Sequence, residues 1–243
     1  EVKEFVTETL GEEGLKKSVV IAEPVNASPV RRIKAAKLAH TIAEQYREQG
    51  KHVLLLMDSL TRVAHAQREI GLAIGEPPTT KGYPPSVFNL LPSLIERVGM
   101  GNACEGSISA FYTVLAENDD RSDPIVDISR ASLDGQIMLS RKLADASHYP
   151  AIDLEGSISR VADKIVSETH TSSARNLRRL WSLYRQNEDI IQIGAYEPGS
   201  NADLDLAIKL KPEIDNFLMQ RESETFTLQQ TMQQLSFIES QKI

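Results

Sequence analysis

Apolar residues recur in two rhythms along this chain, and the change of rhythm divides it. Up to about residue 162, short apolar runs alternate with stripes at three- and four-residue steps; beyond it only stripes remain. The first residues read as the tail of a helix. Lys17 to Ala22 reads as a strand. Ser28-Pro29 then opens a helix, because serine is a good N-cap and proline suits the first turn. Val30, Ile33, Ala36, Ala39, Ala43 and Tyr46 form its apolar face, and Gly50 ends it as a C′ residue. Val53 to Met57 reads as a second strand. Strand, helix, strand is a βαβ unit, which implies a parallel sheet with a right-handed crossover.

Residues 59–72 predict a further helix, followed by a Gly/Pro-rich loop from Gly75 to Pro85. Ser86 to Arg97 predicts another helix. Ser107 to Leu115 is rich in β-formers and predicts a core strand, ending in an acidic, turn-rich stretch from Glu117 to Pro124. Gln136 to Leu139 predicts a short strand. Leu177, Leu180, Trp181 and Tyr184 form one later stripe; Ala207, Ile208, Ile214, Phe217 and Leu218 continue the helical character. Leu228, Met232, Leu235 and Ile238 form another stripe. The expected fold class is α/β: a mainly parallel sheet core over residues 1–162 and an α-helical domain over 163–243.

Composition narrows the classes. A net charge of −7 opposes a general nucleic-acid binder, which needs a basic face to displace counterions. Arg175, Arg178, Arg179 and Arg185 are spaced as the solvated face of a helix. Cys104 is the only cysteine, so no internal disulfide can form, as expected in a reducing cytosol. The five histidines show no metal-ligand spacing. No apolar run reaches the roughly 18 residues of a membrane span. The protein is expected to meet a membrane only through partners.

The candidate chemistry starts at Asp58. Five apolar residues, Val53 to Met57, end abruptly on this carboxylate. A buried parallel strand delivers its last residue to the ligand edge of the sheet. Nucleotide hydrolases hold Mg²⁺ there beside the phosphates. The competing reading is an aspartate that caps the helix over 59–72.

The flanking residues add a family. Lys51-His-Val-Leu-Leu-Leu-Met-Asp-Ser-Leu-Thr-Arg62, Lys81-Gly-Tyr-Pro-Pro-Ser-Val-Phe88, Asp134-Gly-Gln-Ile-Met-Leu-Ser-Arg141 and His148-Tyr-Pro-Ala-Ile-Asp-Leu-Glu-Gly-Ser-Ile-Ser-Arg160 closely resemble the export ATPases of flagella and type III secretion injectisomes. Those are relatives of the rotary ATP synthase catalytic subunit. The resemblance runs to about Phe237, and the flagellar branch fits better at Asp123-Pro-Ile125 and Asp153 to Ser159. It implies a RecA-like core, ATP and Mg²⁺ as ligands, and hydrolysis of ATP to energise protein export. It makes Asp58 the metal-side carboxylate and places Arg62 near the attacking water. Arg160 becomes an arginine finger acting on a neighbour's γ-phosphate, with Arg141 a weaker rival. Tyr149 stacks on adenine, with Phe226 closing that pocket. Asp119, Asp120 and Asp123 match the loop that touches a central stalk; a solvated turn that caps the next helix is the equal alternative.

The implied partners are further copies of the chain in a ring, expected as a hexamer, a stalk-like coiled-coil protein, the export gate and chaperone–substrate complexes. The implied place is cytoplasmic, peripheral to the export apparatus at the inner membrane. No G-x-x-x-x-G-K-[ST] occurs in the 243 residues, and the family's Gly-Glu-Arg would fall just before Glu1. The chain is therefore expected to match the C-terminal part of such an ATPase and to be inactive alone. The alternatives are an injectisome ATPase, a vacuolar/archaeal-type ATP synthase subunit or, for the isolated chain, a non-catalytic scaffold module. A nucleic-acid-dependent ring ATPase is opposed by the charge.

Overall fold

The computed structural model describes residues 2–102, 106–116 and 122–241. Its contacts divide the chain into two compact units, Glu1–Leu133 and Asp134–Ile243. The first begins with α1 (Val2–Glu4), a π-helical turn (Phe5–Leu10) and α2 (Gly11–Leu15), the helical tail expected there. Lys17 to Ala22 does not form the expected strand. Val19 and Val20 are exposed, and no described residue pairs with this segment. Without a ladder partner, β-forming residues leave the backbone polar groups to solvent.

α3 (Pro29–Glu48) follows its sequence signals closely. The Ser28 hydroxyl accepts from the Arg31 N–H at 3.4 Å, and Pro29 occupies the first turn. Gly50 takes a positive φ of 78°. Its N–H donates to Arg47 O at 2.9 Å, and Lys51 N–H donates to Tyr46 O at 3.0 Å, the paired closure of a Schellman motif. Ile33, Ala36 and Ala43 are buried as expected, whereas Val30 and Tyr46 are exposed. The stripe also buries His40, a residue that apolar periodicity does not pick out.

β1 (His52–Met57) pairs in parallel with β3 (Ser107–Tyr112), and β2 (Gly99–Met100) pairs antiparallel on the other side of β3. The parallel pair of this unit is thus β1 with β3, not 17–22 with 53–57. α4 (Leu60–Ala73) and α5 (Pro85–Ile95) make the crossover. Leu60, Val63, Val87, Leu91, Leu94 and Ile125 form the main core with α6 (Pro124–Ser132). Burying each such side chain stabilises by roughly 1.5–3 kcal/mol. β1 is not buried on both faces: Leu55 packs with Ala43 and Ile108, while Leu54, Leu56 and Phe111 are exposed.

The second unit starts with the antiparallel hairpin β4 (Gly135–Leu139) and β5 (Ile152–Ser159). A bulge interrupts its register. The Asp153 carboxylate accepts from the Glu155 and Gly156 N–H groups at 3.1 and 3.0 Å. A Cβ on Gly156 would come within 2.7 Å of that carboxylate, so a larger residue there would displace the Asp153 side chain. α7 (Arg141–Asp145) lies between the strands, and α8 (Ala162–Ile165) follows them. α9 (Glu168–Gln192), α10 (Ala202–Leu218) and α11 (Leu228–Ser240) bury Leu177, Leu180, Trp181, Ala207, Ile214, Leu235 and Ile238. Leu143, Ala151 and Leu154 join that core. By packing, the hairpin belongs with the helices in the compact unit that begins at Asp134.

Candidate nucleotide site

Asp58 leaves the C-terminal end of β1 with its carboxylate exposed. One step beyond the last register pair, Met57 with Tyr112, it lies beside Thr113. The Thr113 hydroxyl donates to Asp58 Oδ1 at 2.6 Å. The main chain zips the same junction: Thr113 N–H donates to Met57 O at 3.1 Å, and Leu60 N–H to Thr113 O at 3.0 Å. The Asp58–Ser59 peptide is cis. Ser59, not Asp58, caps α4, its hydroxyl accepting from Arg62 N–H at 3.3 Å. The capping reading of Asp58 is thereby removed, and its carboxylate is left for other work. Thr113 was missed from sequence. Its signal was a hydroxyl residue just past the second core strand, one register step from the aspartate.

Arg62 is exposed in the first turn of α4, one turn from Asp58. Thr61 on the buried side of that turn accepts from Leu115 N–H at 2.8 Å, fixing α4 to the chain leaving β3. Behind this edge buried His40 pairs with half-buried Tyr112. His40 Nδ1 is 2.8 Å from Ala36 O, so that nitrogen carries the proton and donates. Its Nε2 then accepts from the Tyr112 hydroxyl at 2.9 Å. Burial lowers the His40 pKa and pushes the Tyr112 phenol up to about 12. Both rings are neutral at pH 7.

The Gly75–Pro85 loop is tied down rather than open. Tyr83 is buried, stacked on His65, with the Arg68 guanidinium 5.2 Å from its ring centre. Asp123 is also buried. It caps α6 by accepting from Ile125 N–H at 2.8 Å, and Lys81 Nζ lies 3.9 Å from its other oxygen. At Asp123 the structure shows the capping alternative, with the carboxylate buried. Asp119, Asp120 and Cys104 lie outside the described residues.

In the second unit, Tyr149 is 55% exposed and Phe226 46%. His148, buried against Trp181 with ring centres 5.8 Å apart, anchors the first loop. Burial lowers its pKa, against the opposing charge of Asp215. Tyr149 precedes Pro150 through a cis bond, and its carbonyl accepts from Gln220 N–H at 2.9 Å. Gln220 begins the turn that leads to Phe226. Arg221 N–H and Glu224 Oε2, 2.9 Å apart, brace that turn, and Thr227 caps α11 directly after Phe226. The two aromatic residues are thus on loops joined by a main-chain hydrogen bond.

Arg160 is exposed just past β5, its N–H donating to Asp134 O at 2.7 Å. Arg141, exposed at the start of α7, lies at the other end of the hairpin, as does Tyr149. The arginine stripe of α9 is largely solvated, as expected: Arg175 pairs with Asp163 at 2.7 Å and Arg179 with Asp203 at 2.8 Å.

Among the described residues, no three His, Cys, Asp or Glu side chains gather to hold a metal. A lone exposed carboxylate still fits Mg²⁺, which keeps several waters and takes one or two carboxylates beside substrate phosphates.

A parallel sheet edge that ends on an exposed carboxylate, followed by a helical unit, is the arrangement of a known family. Residues 1–159 match the nucleotide-binding domain of the ATP synthase alpha/beta family, and the chain belongs to that family. Residues 166–236 match the T3SS EscN ATPase C-terminal domain. The chain is 55% identical to the flagellum-specific ATP synthase of Pseudomonas aeruginosa over 97% of its own length and 52% of that protein. The assembled EscN ATPase of the enteropathogenic E. coli type III secretion system superposes with a TM-score of 0.94 at 43% identity, over 98% of this chain and 57% of that one. EscN in complex with its central stalk EscO gives 0.89 at 42% identity, over 98% and 56%. The chain spans about half the length of the curated relatives it matches.

Proposed function

We propose that this chain is part of a ring-forming ATPase that hydrolyses ATP to energise flagellar-type protein export. One observation carries the reading: Asp58 is an exposed carboxylate at the end of a parallel strand, gripped by Thr113 and relieved of helix capping by Ser59. Identities of 55% and 53% to flagellum-specific ATP synthases, against 49% to a type 3 secretion system ATPase, support the flagellar branch over the injectisome.

In this reading Mg²⁺ neutralises phosphate charge when bound. Asp58 accepts hydrogen bonds from its water shell and fixes its place at the sheet edge. Arg62, one turn into α4, faces the side from which water attacks. Tyr149 and Phe226 hold the adenine between loops of the helical unit. Arg160 serves the neighbouring subunit's nucleotide, where a planar guanidinium stabilises the transferring phosphoryl group. Such fingers are worth about 10³–10⁵ in rate. Asp119 and Asp120 are the proposed contacts for a stalk-like coiled-coil protein, a partner that the EscN–EscO complex supports. The export gate and chaperone–substrate complexes complete the machine. No described helix is long and apolar enough to cross a membrane, which accords with a cytoplasmic ring peripheral to the export apparatus at the inner membrane.

Turnover per subunit of the full-length protein tests the ring. It should rise with protein concentration as subunits assemble, and Arg160→Ala should abolish the rise while sparing nucleotide binding by monomers. Equal turnover by monomers and assemblies, sized by sedimentation, would overturn the reading.

A further inference from the structure

We propose that Thr113 is a positioning residue for the metal-side carboxylate. The inference deepens the reading of Asp58 given above and rests on it. An ionised carboxylate offers about four lone-pair sites and can turn about its last torsion. The Thr113 hydroxyl, 2.6 Å from Oδ1, occupies one of those sites. That length is typical of a charge-assisted O–H···O⁻ bond, the stronger class. Among the described residues, the other oxygen, Oδ2, has no hydrogen-bond partner, and it remains for the metal's water shell.

Thr113 is suited to the task by its backbone. Its N–H and C=O are both engaged across the β1–α4 junction, with Met57 and Leu60. The hydroxyl therefore starts from a fixed point and the carboxylate is aimed by a rigid neighbour. Strand pairing is the main chain's task, and the exposed side chain is free to serve Asp58. Two features of the site agree. Ser59 takes the capping duty that would otherwise turn Asp58 toward the helix. Thr61 locks the next step of the same junction to Leu115. Hydrogen bonds that orient a metal-side ligand typically matter about 10- to 100-fold in metal affinity or activity.

The test uses the full-length protein carrying Thr113→Val, which keeps the shape and removes the donor, and Thr113→Ser, which keeps the donor. Mn²⁺ serves as the probe, its binding to the ADP-loaded protein followed by electron paramagnetic resonance. Thr113→Val should weaken Mn²⁺ binding by about 10-fold or more, with metal-free ADP binding and the melting temperature near wild type. Thr113→Ser should restore it. Wild-type Mn²⁺ affinity in Thr113→Val overturns the positioning role. An equal loss of metal-free ADP affinity and melting temperature also overturns it, by making the residue structural. Asp58→Asn in the same assay tests the parent reading separately: if it too binds Mn²⁺ normally, the assignment of Asp58 fails, and not merely that of Thr113.

Discussion

In the first unit, the candidate chemistry sits on a strand end; in the second, the candidate base contacts sit on loops. Asp58 follows a six-residue strand and is held by the neighbouring strand's continuation. Tyr149 and Phe226 project from connections between elements and are joined through Gln220. The cores differ in the same sense. The first unit packs its apolar side chains beneath α4, α5 and α6, and leaves Leu54, Leu56 and Phe111 of the sheet exposed. The second packs three helices around Trp181, and Lys211 Nζ lies 5.2 Å from that ring's centre. Phosphoryl chemistry needs a charge fixed within fractions of an ångström, which a paired strand supplies. A flat base needs only a surface to stack on, which two braced loops supply.

The largest effect that would sharpen this contrast is on the loop-bearing unit's support. Leu180 is fully buried in the α9–α11 core. Leu180→Ala should destabilise the second unit by about 2–5 kcal/mol, read by urea unfolding of Trp181 fluorescence. A midpoint equal to wild type would show that the helices do not depend on that core. Next comes the base contact. In the full-length protein, Tyr149→Ala should weaken ADP binding by about 1–3 kcal/mol, the usual worth of stacking a base on an aromatic ring. Tyr149→Phe should retain it. Unchanged calorimetric affinity in the alanine variant would remove Tyr149 from the pocket.

The smallest effect is on pH. Each unit has one buried histidine, His40 and His148, whose pKa burial lowers. The unfolded chain binds those protons near pH 6.5, and the folded chain binds them only at lower pH. Stability is then fully present above about pH 6.5 and is lost as pH falls toward the folded values. Each histidine contributes at most about 1.4 kcal/mol per pH unit. Urea midpoints that rise on acidification from pH 7 to 5.5 would contradict the sign.

Local signals carried far in this sequence where they were self-contained. Ser28-Pro29 and Gly50 bound α3 because caps are made by neighbours in sequence. The later stripes placed Leu177, Leu180, Ala207 and Ile214 in the core because helical periodicity repeats over many turns. What failed depended on partners far along the chain. Lys17 to Ala22 has strand composition, but pairing decides a strand. β5 alternates Ile152, Leu154, Gly156 and Ile158, a signal that was present and overlooked. The change of rhythm near 162 falls between the two matched families, 1–159 and 166–236, whereas the compact unit begins at Asp134 because Leu143 and Leu154 pack with the later helices. At the site, Asp58 was legible as the residue ending an apolar run. Its release from capping was not, since Asp58 and Ser59 are both good caps and only the structure fixes where α4 starts. Asp123 was ambiguous for the same reason: an aspartate before proline can be a cap or a contact, and the structure shows the cap.

The central claim is that Asp58 serves the metal side of a nucleotide site. Steady-state ATP hydrolysis by the full-length protein carrying Asp58→Asn tests it most directly, with circular dichroism and melting temperature as folding controls. The substitution removes one negative charge and preserves volume. Hydrolysis at background level in a protein folded like wild type is the predicted result. Wild-type turnover in that folded variant would contradict it and reduce Asp58 to a strand-end residue held by Thr113.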